Sequence, residues 1–369
     1  MAVGLPMKTT YADGDVYSAQ DVNDITGTIN LVAQTQNFYA GKNAVINGDF
    51  RINQRGFTSG TTYDFGFDRF VNAVGGGTGT GTFSAQTFTP GTAPVSGYNG
   101  VNYLRCVTTG QTAAGTYTII QQNIEDVRTF AGQTATISFW AKANSGTPKI
   151  FVELEQFFGS GGSASVQTGS AVTLTTSWAR YSITLSVPSL SGKTIGAASY
   201  LSLLLWVSAG STFNTRTSSL GIQSNTFEVW GVQLEAGSTA TAFEIASGTV
   251  QGELALCQRY FSKSYNQSFA PGSATSGGLE SRMSANRTDR FAIDYSASLP
   301  VVMRAAPTVT VYSTATGASG NIRDNGAGAD RATTAINIGE GRYQILLNSG
   351  VSTTANAGHS WQWTASAEF

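Results

Sequence analysis

Asn43-Ala-Val-Ile-Asn-Gly-Asp-Phe-Arg-Ile-Asn-Gln-Arg-Gly56 and Phe227-Glu-Val-Trp-Gly-Val-Gln-Leu-Glu-Ala-Gly237 are the stretches whose reading decides the fold of this chain. In the first, Val45, Phe50 and Ile52 are apolar around Asn47, Gly48 and Asp49, a cluster of turn formers. In the second, Phe227, Val229, Gly231 and Gln233 alternate with Glu228, Trp230, Val232 and Leu234 at the period of two of a strand, with apolar groups on both faces. Each reads as a strand followed by a turn, and the pair reads as the opening and closing strands of one β-sandwich.

Between them the chain breaks into short apolar segments at 103–107, 117–121, 135–141, 150–155, 179–185, 200–207 and 227–234, separated by Gly- and Ser-rich turns such as Gly159-Ser-Gly-Gly-Ser163. That density of strands favours a sandwich over an α/β arrangement. Residues 121–130 break the pattern and read as a helical turn covering one end of the sandwich. Downstream, Leu254, Leu256, Cys257, Tyr260 and Phe261 recur at near-helical spacing, so a short helix within 248–261 links to a second β-domain over 262–369. That domain carries strands at 291–295, 308–312, 335–338, 343–347 and 360–367, with Pro307 tolerated at a strand start or edge. Residues 313–333, with four glycines and no large apolar residue but Ile322, read as an exposed tip. No internal repeat at a short fixed period is present, which argues against a solenoid or β-helix.

Residues 1–42 differ. Ser18 stands three before Asp21, a capping-box spacing, and opens a stretch in which Val22, Ile25, Ile29 and Val32 recur at three, four and three. This is the seam of a short helix that needs partners to be stable. The partners are copies of itself or a groove on a larger assembly.

The 369 residues include 43 glycines, and 12% are charged where about 25% is usual, which describes strands and turns with an uncharged polar surface. A net charge of -1 and the lack of Lys/Arg clusters leave no phosphate track, so no nucleic acid is expected. The longest apolar run, Tyr200-Leu-Ser-Leu-Leu-Leu-Trp-Val-Ser208, is strand-sized, so no helical membrane insertion is expected. Met1-Ala-Val-Gly-Leu-Pro6 lacks a basic stretch followed by an apolar one, so no secretory signal is expected either. Cys106 and Cys257 read as free buried thiols, and with a single His359 no zinc cluster of the usual kinds can be assembled.

The two opening stretches, followed by Glu253-Leu-Ala-Leu-Cys-Gln-Arg-Tyr-Phe261 and Leu299-Pro-Val-Val-Met-Arg-Ala-Ala-Pro-Thr-Val-Thr310, resemble a family of bacteriophage tail-fibre or receptor-binding virion proteins. That family carries a jelly roll like a carbohydrate-binding module. The resemblance implies an all-β homotrimeric fibre, external to the virion and assembled in the host cytoplasm. Its parts are an N-terminal arm (1–42, with Val22, Ile25, Ile29 and Val32) joining another virion protein, a jelly roll (43–247), the linking helix (248–261), and a C-terminal β-sandwich domain (262–369) facing the host. It also implies pairing of the strand around Ile137 with 178–185. A structural calcium is implied near the first and last strands, where Asp49 and Glu235 supply hard oxygen ligands.

Glycan hydrolysis requires two carboxylates at a defined separation. Glu153 with Glu155, on one face of a strand, and Asp64 with Asp68 are the possible pairs, but they equally read as solvent-facing strand carboxylates and turn-capping aspartates. His359, between Gly358 and Ser360, reads as a polar loop residue. Gly75-Gly-Gly-Thr-Gly-Thr-Gly81 lacks the Lys-Ser/Thr ending of a phosphate cradle and reads as a surface loop between strands. No catalytic constellation results, and no enzyme is expected. Sugar recognition asks instead for exposed aromatic faces beside amides and carboxylates. The C-terminal third supplies Asn321, Arg323, Asp324, Asn325, Trp361 and Trp363, with Tyr265, Asn266 and Phe269 nearby. Trp361 and Trp363 share one face of a strand, which is either a stacking surface or the core side of a closing sheet. The expected function is host adsorption through a surface glycan. The alternatives are a head fibre or capsid decoration protein, and a glycan depolymerase.

Overall fold

The computed structural model describes residues 41–369 apart from 78, 290 and 292–294. Val22, Ile25, Ile29 and Val32, and the arm they belong to, lie outside the described residues.

The N-terminal unit is a sandwich of twelve strands: β1 (Ser59–Gly60), β2 (Asp64–Phe65), β3 (Val71–Gly75), β4 (Thr80–Thr87), β5 (Asn102–Thr109), β6 (Tyr117–Ile124), β7 (Thr134–Ala143), β8 (Lys149–Phe157), β9 (Val166–Thr173), β10 (Ala179–Ser186), β11 (Tyr200–Ala209) and β12 (Asn225–Ala236). One sheet runs β1-β4-β5-β12-β7-β10 and the other β2-β3-β6-β11-β8-β9, with antiparallel pairing. This is a jelly-roll sandwich, and the pairing of 137 with 178–185 is observed as Ile137 opposite Ile183 on β7 and β10. The core follows from strand alternation. On β11, Leu201, Leu203, Leu205 and Val207 point in and join Leu104, Cys106, Phe139, Val152 and Val229. Each such side chain contributes about 1.5–3 kcal/mol by burial.

Two of the opening expectations change. Residues 43–56 form turns instead of a strand, because Asn47 (φ 62°) and Phe50 (φ 55°) adopt left-handed backbone, outside the extended region of a regular strand. The segment is a plug beside β12: the Ala44 N–H donates to the Leu234 carbonyl (2.9 Å) and the Val232 N–H to the Gly48 carbonyl (2.8 Å). Asn47 is fully buried, donating to the carbonyls of Ile52 (2.9 Å) and Asp68 (3.0 Å) and accepting from the Ile52 N–H (2.8 Å). The second change is a bulge in β12 between Trp230 and Gln233, where Gly231 takes φ 65°. It shifts the inward register, so Phe227 and Val229 are followed inward by Val232 and Leu234, and a Cβ on Gly231 would stand 2.7 Å from the Trp140 ring.

Residues 121–124 belong to β6, and turns follow from 126. Apolar strand residues on either side of 121 cannot reveal that Gln121 and Asn123 continue the strand on its outer face. β4 and β9 escape sequence reading because Gly, Ser, Thr and Gln predominate in them, and β3 because it is a five-residue Val-Asn-Ala-Val-Gly segment. Of the glycine-rich stretch 75–81, Gly75 ends β3 and Thr80 and Gly81 open β4, so its ends are strand and not loop.

Helix α1 (Val250–Gln258) is capped by Thr249, whose Oγ1 accepts the Gly252 N–H at 3.1 Å. Phe261 falls in a strand. The C-terminal unit comprises β13 (Phe261–Lys263), β14 (Glu280–Met283), β15 (Tyr295–Ser298), β16 (Thr308–Ser313), β17 (Asn321–Asp324), β18 (Ala329–Gly339), β19 (Arg342–Leu347) and β20 (Gly358–Ser366). These connect in one sheet, in which β20 pairs with β13, β14, β16 and β17 and carries Trp361, Trp363 and Ala365 into a core with Tyr343, Ile345 and Met303. Residues 313–333 are not an exposed tip: they contain β17 and the start of β18, and Ile322 is fully buried.

The two units meet in a polar seam. Gln54 Nε2 donates to the Phe261 carbonyl (2.7 Å) and to Asp68 (2.8 Å). Arg55 and the buried Arg69 both pair with Glu368, and the Arg69 guanidinium lies 3.4 Å from the centroid of the Tyr260 ring.

Candidate functional site

The outer face of the second sheet is a place where aromatic and polar side chains converge. The residues of β11 that do not enter the core, Tyr200, Ser202, Leu204 and Trp206, stand opposite Phe157, Glu155, Glu153 and Phe151 of β8. On the other side Ser202 pairs with Asn123, Leu204 with Gln121 and Trp206 with Ile119 of β6. Strand alternation thus lays a continuous row across three strands.

One end of the face is closed. Trp206, Phe151, Ile119, Ala73 and Leu204 form a small outer cluster, against which Phe213 and Leu220 of the segment after β11 are packed. Arg216, from the same segment, lies 5.1 Å from the Trp206 ring centroid. Its Nε donates to both Glu153 oxygens (3.0 Å each) and its Nη2 to Glu153 Oε1 (2.5 Å) and Glu155 Oε2 (2.8 Å). Burial pushes the Glu153 carboxyl up while Arg216 pulls it back.

The other end is open. Phe157 (37% exposed) stacks on Tyr200 at 4.7 Å, and Phe369 meets Tyr200 edge-on at 5.1 Å. Tyr63, 59% exposed, comes from the turn before β2. Burial first, then Glu155 and Tyr63, push the Tyr200 phenol up. Between the rings, Gln121 Nε2 donates to Asn123 Oδ1 (2.9 Å) and Ser202 Oγ (3.1 Å), and Ser202 donates to Asn123 Oδ1 (2.8 Å). Glu155 Oε1 accepts from Gln167 Nε2 (3.0 Å). This network holds the side chains in place and leaves the Gln121 carbonyl and the Asn123 amide N–H groups uncommitted among the described residues.

The sequence-derived recognition residues are placed otherwise. Trp361 (0% exposed) and Trp363 are core, stacked or edge-on with Tyr295 and Tyr343, so they are no stacking surface. Asp324 is fully buried and accepts the N–H groups of Gly326, Ala327 and Thr354 and the Arg331 Nε (3.3 Å). Arg323 pairs with Asp330 (3.3 Å), Asn321 donates to the Ser319 carbonyl, and Asn325 remains exposed. Strand pairing thus spends Asn321, Arg323 and Asp324 on the β17–β18 hairpin. His359 is a buried strand residue, not a loop residue: its Nε2 is 3.9 Å from Asp324 and its Nδ1 3.4 Å from the Tyr295 hydroxyl.

The carboxylate pairs resolve as well. Glu153 and Glu155 are bridged by Arg216 and neither is simply solvent-facing. Asp64 is exposed, whereas Asp68 is buried and accepts from Gln54 N (2.6 Å) and Gln54 Nε2, so the two do not face one another as a pair. Asp49 accepts from Arg51 Nε (3.0 Å) and the Tyr98 hydroxyl (2.9 Å). Glu235 accepts from Gln233, Thr241 N and Thr241 Oγ1 and pairs with Lys42 (3.4 Å). These two carboxylates sit in separate, donor-saturated networks and do not fit a shared calcium, and among the described residues no group of three His, Cys, Asp or Glu could hold a metal. Cys106 and Cys257 are free and buried, as expected.

Sequence reading noticed Glu153 and Glu155 but not their neighbours. Gln121 and Asn123, Phe157, Gln167 and Tyr200 come from four separate segments, and only the β6-β11-β8-β9 register assembles them. The available signal was the isolated polar residues Gln121 and Ser202 within the apolar strands at 117–121 and 200–207.

No family model matches the chain, and no curated protein matches it. Solved structures with a similar arrangement include the enzymatically active domain of tailspike protein 4 of bacteriophage CBA120, at 14% identity and a TM-score of 0.31, over 53% of this chain and 22% of that one. Others are a family 11 carbohydrate-binding module from Clostridium thermocellum, at 15% identity and a TM-score of 0.30, over 50% and 99%, and a xylan-binding domain from Paenibacillus barcinonensis, at 16% and 0.29, over 55% and 98%. The chain thus spans about a fifth of the tailspike structure it matches.

Proposed function

We propose that this protein binds a glycan on the outer face of its second sheet, as an appendage that carries a phage to its host surface. The observation that carries the reading is the open end of that face, where the rings of Phe157 and Tyr200 lie in one row with Asn123, Ser202, Glu155 and Gln121, with the exposed Tyr63 preceding the edge strand of the same sheet. Aromatic faces pack on the apolar C–H side of a sugar, and pre-positioned amides and carboxylates exchange hydrogen bonds with its hydroxyls. Binding without turnover fits the Arg216 bridge, which engages both face carboxylates at once. The tail-fibre reading is supported by the four ordered motifs from Asn43 to Thr310. Three copies per fibre would multiply weak single-site contacts.

The test is calorimetric titration of the full chain against a panel of bacterial surface polysaccharides, comparing wild type with Tyr63→Ala and Phe157→Ala. A ring–sugar contact is worth about 1 kcal/mol, so each variant weakens binding about fivefold. Both rings are substantially exposed, so the melting temperature stays nearly constant. Absence of glycan binding, or unchanged affinity in both variants, overturns the proposal. Oligosaccharide release replaces it with the depolymerase reading. Labelling confined to the capsid replaces the tail-fibre assignment with the decoration one.

A further inference from the structure

The body has an apolar groove that shares no residue with the glycan face. Two adjoining cavities of about 560 and 360 Å³ share Arg51 and Val250. Their apolar walls are Ile52, Tyr98, Phe243, Ile245, Val250 and Leu254. Val250 opens helix α1 with 44% of its surface exposed. The turn leading into that helix is also where the chain enters the body: the Gly41 N–H donates to the Ala246 carbonyl at 2.6 Å, next to Ile245.

We propose that this groove holds the apolar stripe Val22, Ile25, Ile29 and Val32 of the same chain. Three observations lead there. The stripe is an apolar feature of the sequence with a spacing that makes one face on a helix and too short a span to stand alone. The groove offers apolar walls where a soluble body ordinarily presents polar ones. The nine-residue connection from Val32 to Gly41 reaches at most about 30 Å, and its far end is fixed on the groove's own wall. Covalent connection so near the site gives a local concentration on the order of millimolar, which favours the chain's own stripe over a second copy. The groove is thus a dock for the arm, independent of the glycan face.

The test is disulfide trapping in the full-length protein with Ile25→Cys and Val250→Cys, and with Asn23→Cys and Val250→Cys as the off-stripe control. Native Cys106 and Cys257 are free and buried and do not compete. Mixing chains with two tag sizes separates bonds within a chain from bonds between chains. The expected result is an intrachain bond formed at least fivefold faster for Ile25 than for Asn23. Equal rates overturn the proposal, and bonds found between chains overturn it in favour of a second copy as occupant. A measurement that needs no cysteine is hydrogen exchange in the full-length Ile25→Asp/Ile29→Asp variant. Amides of residues 245–254 should exchange at least fivefold faster than in wild type, and unchanged exchange there overturns the proposal.

Discussion

Replacing Arg216 with Ala removes the cation from the most deeply placed acidic group of the outer face. Glu153 is 1% exposed at its side chain and receives three hydrogen bonds from the Arg216 guanidinium at 2.5–3.0 Å, so the variant leaves a buried carboxylate without its counter-charge. Breaking a buried pair from one side costs about 3–5 kcal/mol. A ceiling comes from protonation, because Glu153 escapes the penalty by taking up a proton. From an ordinary glutamate pKa of about 4.3, that uptake costs about 4 kcal/mol at pH 7 and about 1 kcal/mol at pH 5. The sign follows from a folded-state pKa raised above the unfolded one, a penalty present above the unfolded value and relieved as pH falls. Arg216 is itself 30% exposed and water can reach part of the site, so about 2–3 kcal/mol at pH 7 is expected. Urea denaturation of wild type and Arg216→Ala at pH 7 and pH 5 measures this directly. Adding Glu153→Gln to Arg216→Ala should recover most of the loss at pH 7. A loss below about 1 kcal/mol at pH 7, or an equal loss at both pH values, would refute the reasoning.

Two further outcomes follow from buried groups. Burial holds the His359 imidazole below its ordinary pKa, opposed by Asp324 and reinforced by Arg331, so its neutral form is favoured in the folded state. The stability this reflects is present above about pH 6.5 and is lost as pH falls below it. The melting temperature should therefore drop faster between pH 6.5 and 5 in wild type than in His359→Gln, and parallel curves would contradict the burial argument. Gly231→Ala should destabilise the sandwich by about 2–4 kcal/mol, since the residue combines φ 65° with a Cβ position 2.7 Å from the Trp140 ring. A denaturation midpoint unchanged from wild type would show that the bulge accepts a side chain.

Much of the architecture is written in the chain itself. The apolar run from Tyr200 to Val207, broken only by Ser202 and strand-sized, specifies a strand buried in a core, whatever surrounds it. The near-helical spacing of Leu254, Leu256 and Cys257 announces α1, and the charge balance by itself argues against a nucleic-acid track. Local chemistry suffices for such features because their cause is local. Tertiary structure decided everything that depends on which strands become neighbours. Trp361 and Trp363 alternate identically whether they face a ligand or a core, and only closure of the sheet around β20 assigns them to the core. Asp324 looks like a loop acid until Thr354, thirty residues on, donates to it. Phe157, Tyr200, Gln121 and Glu155 become one surface through the β6-β11-β8 register, and the Gly231 bulge reassigns half of β12 between faces. The physical reason is the same in each case: a strand's sequence states its period, but its partner and the phase of its two faces are settled by long-range hydrogen bonds and packing.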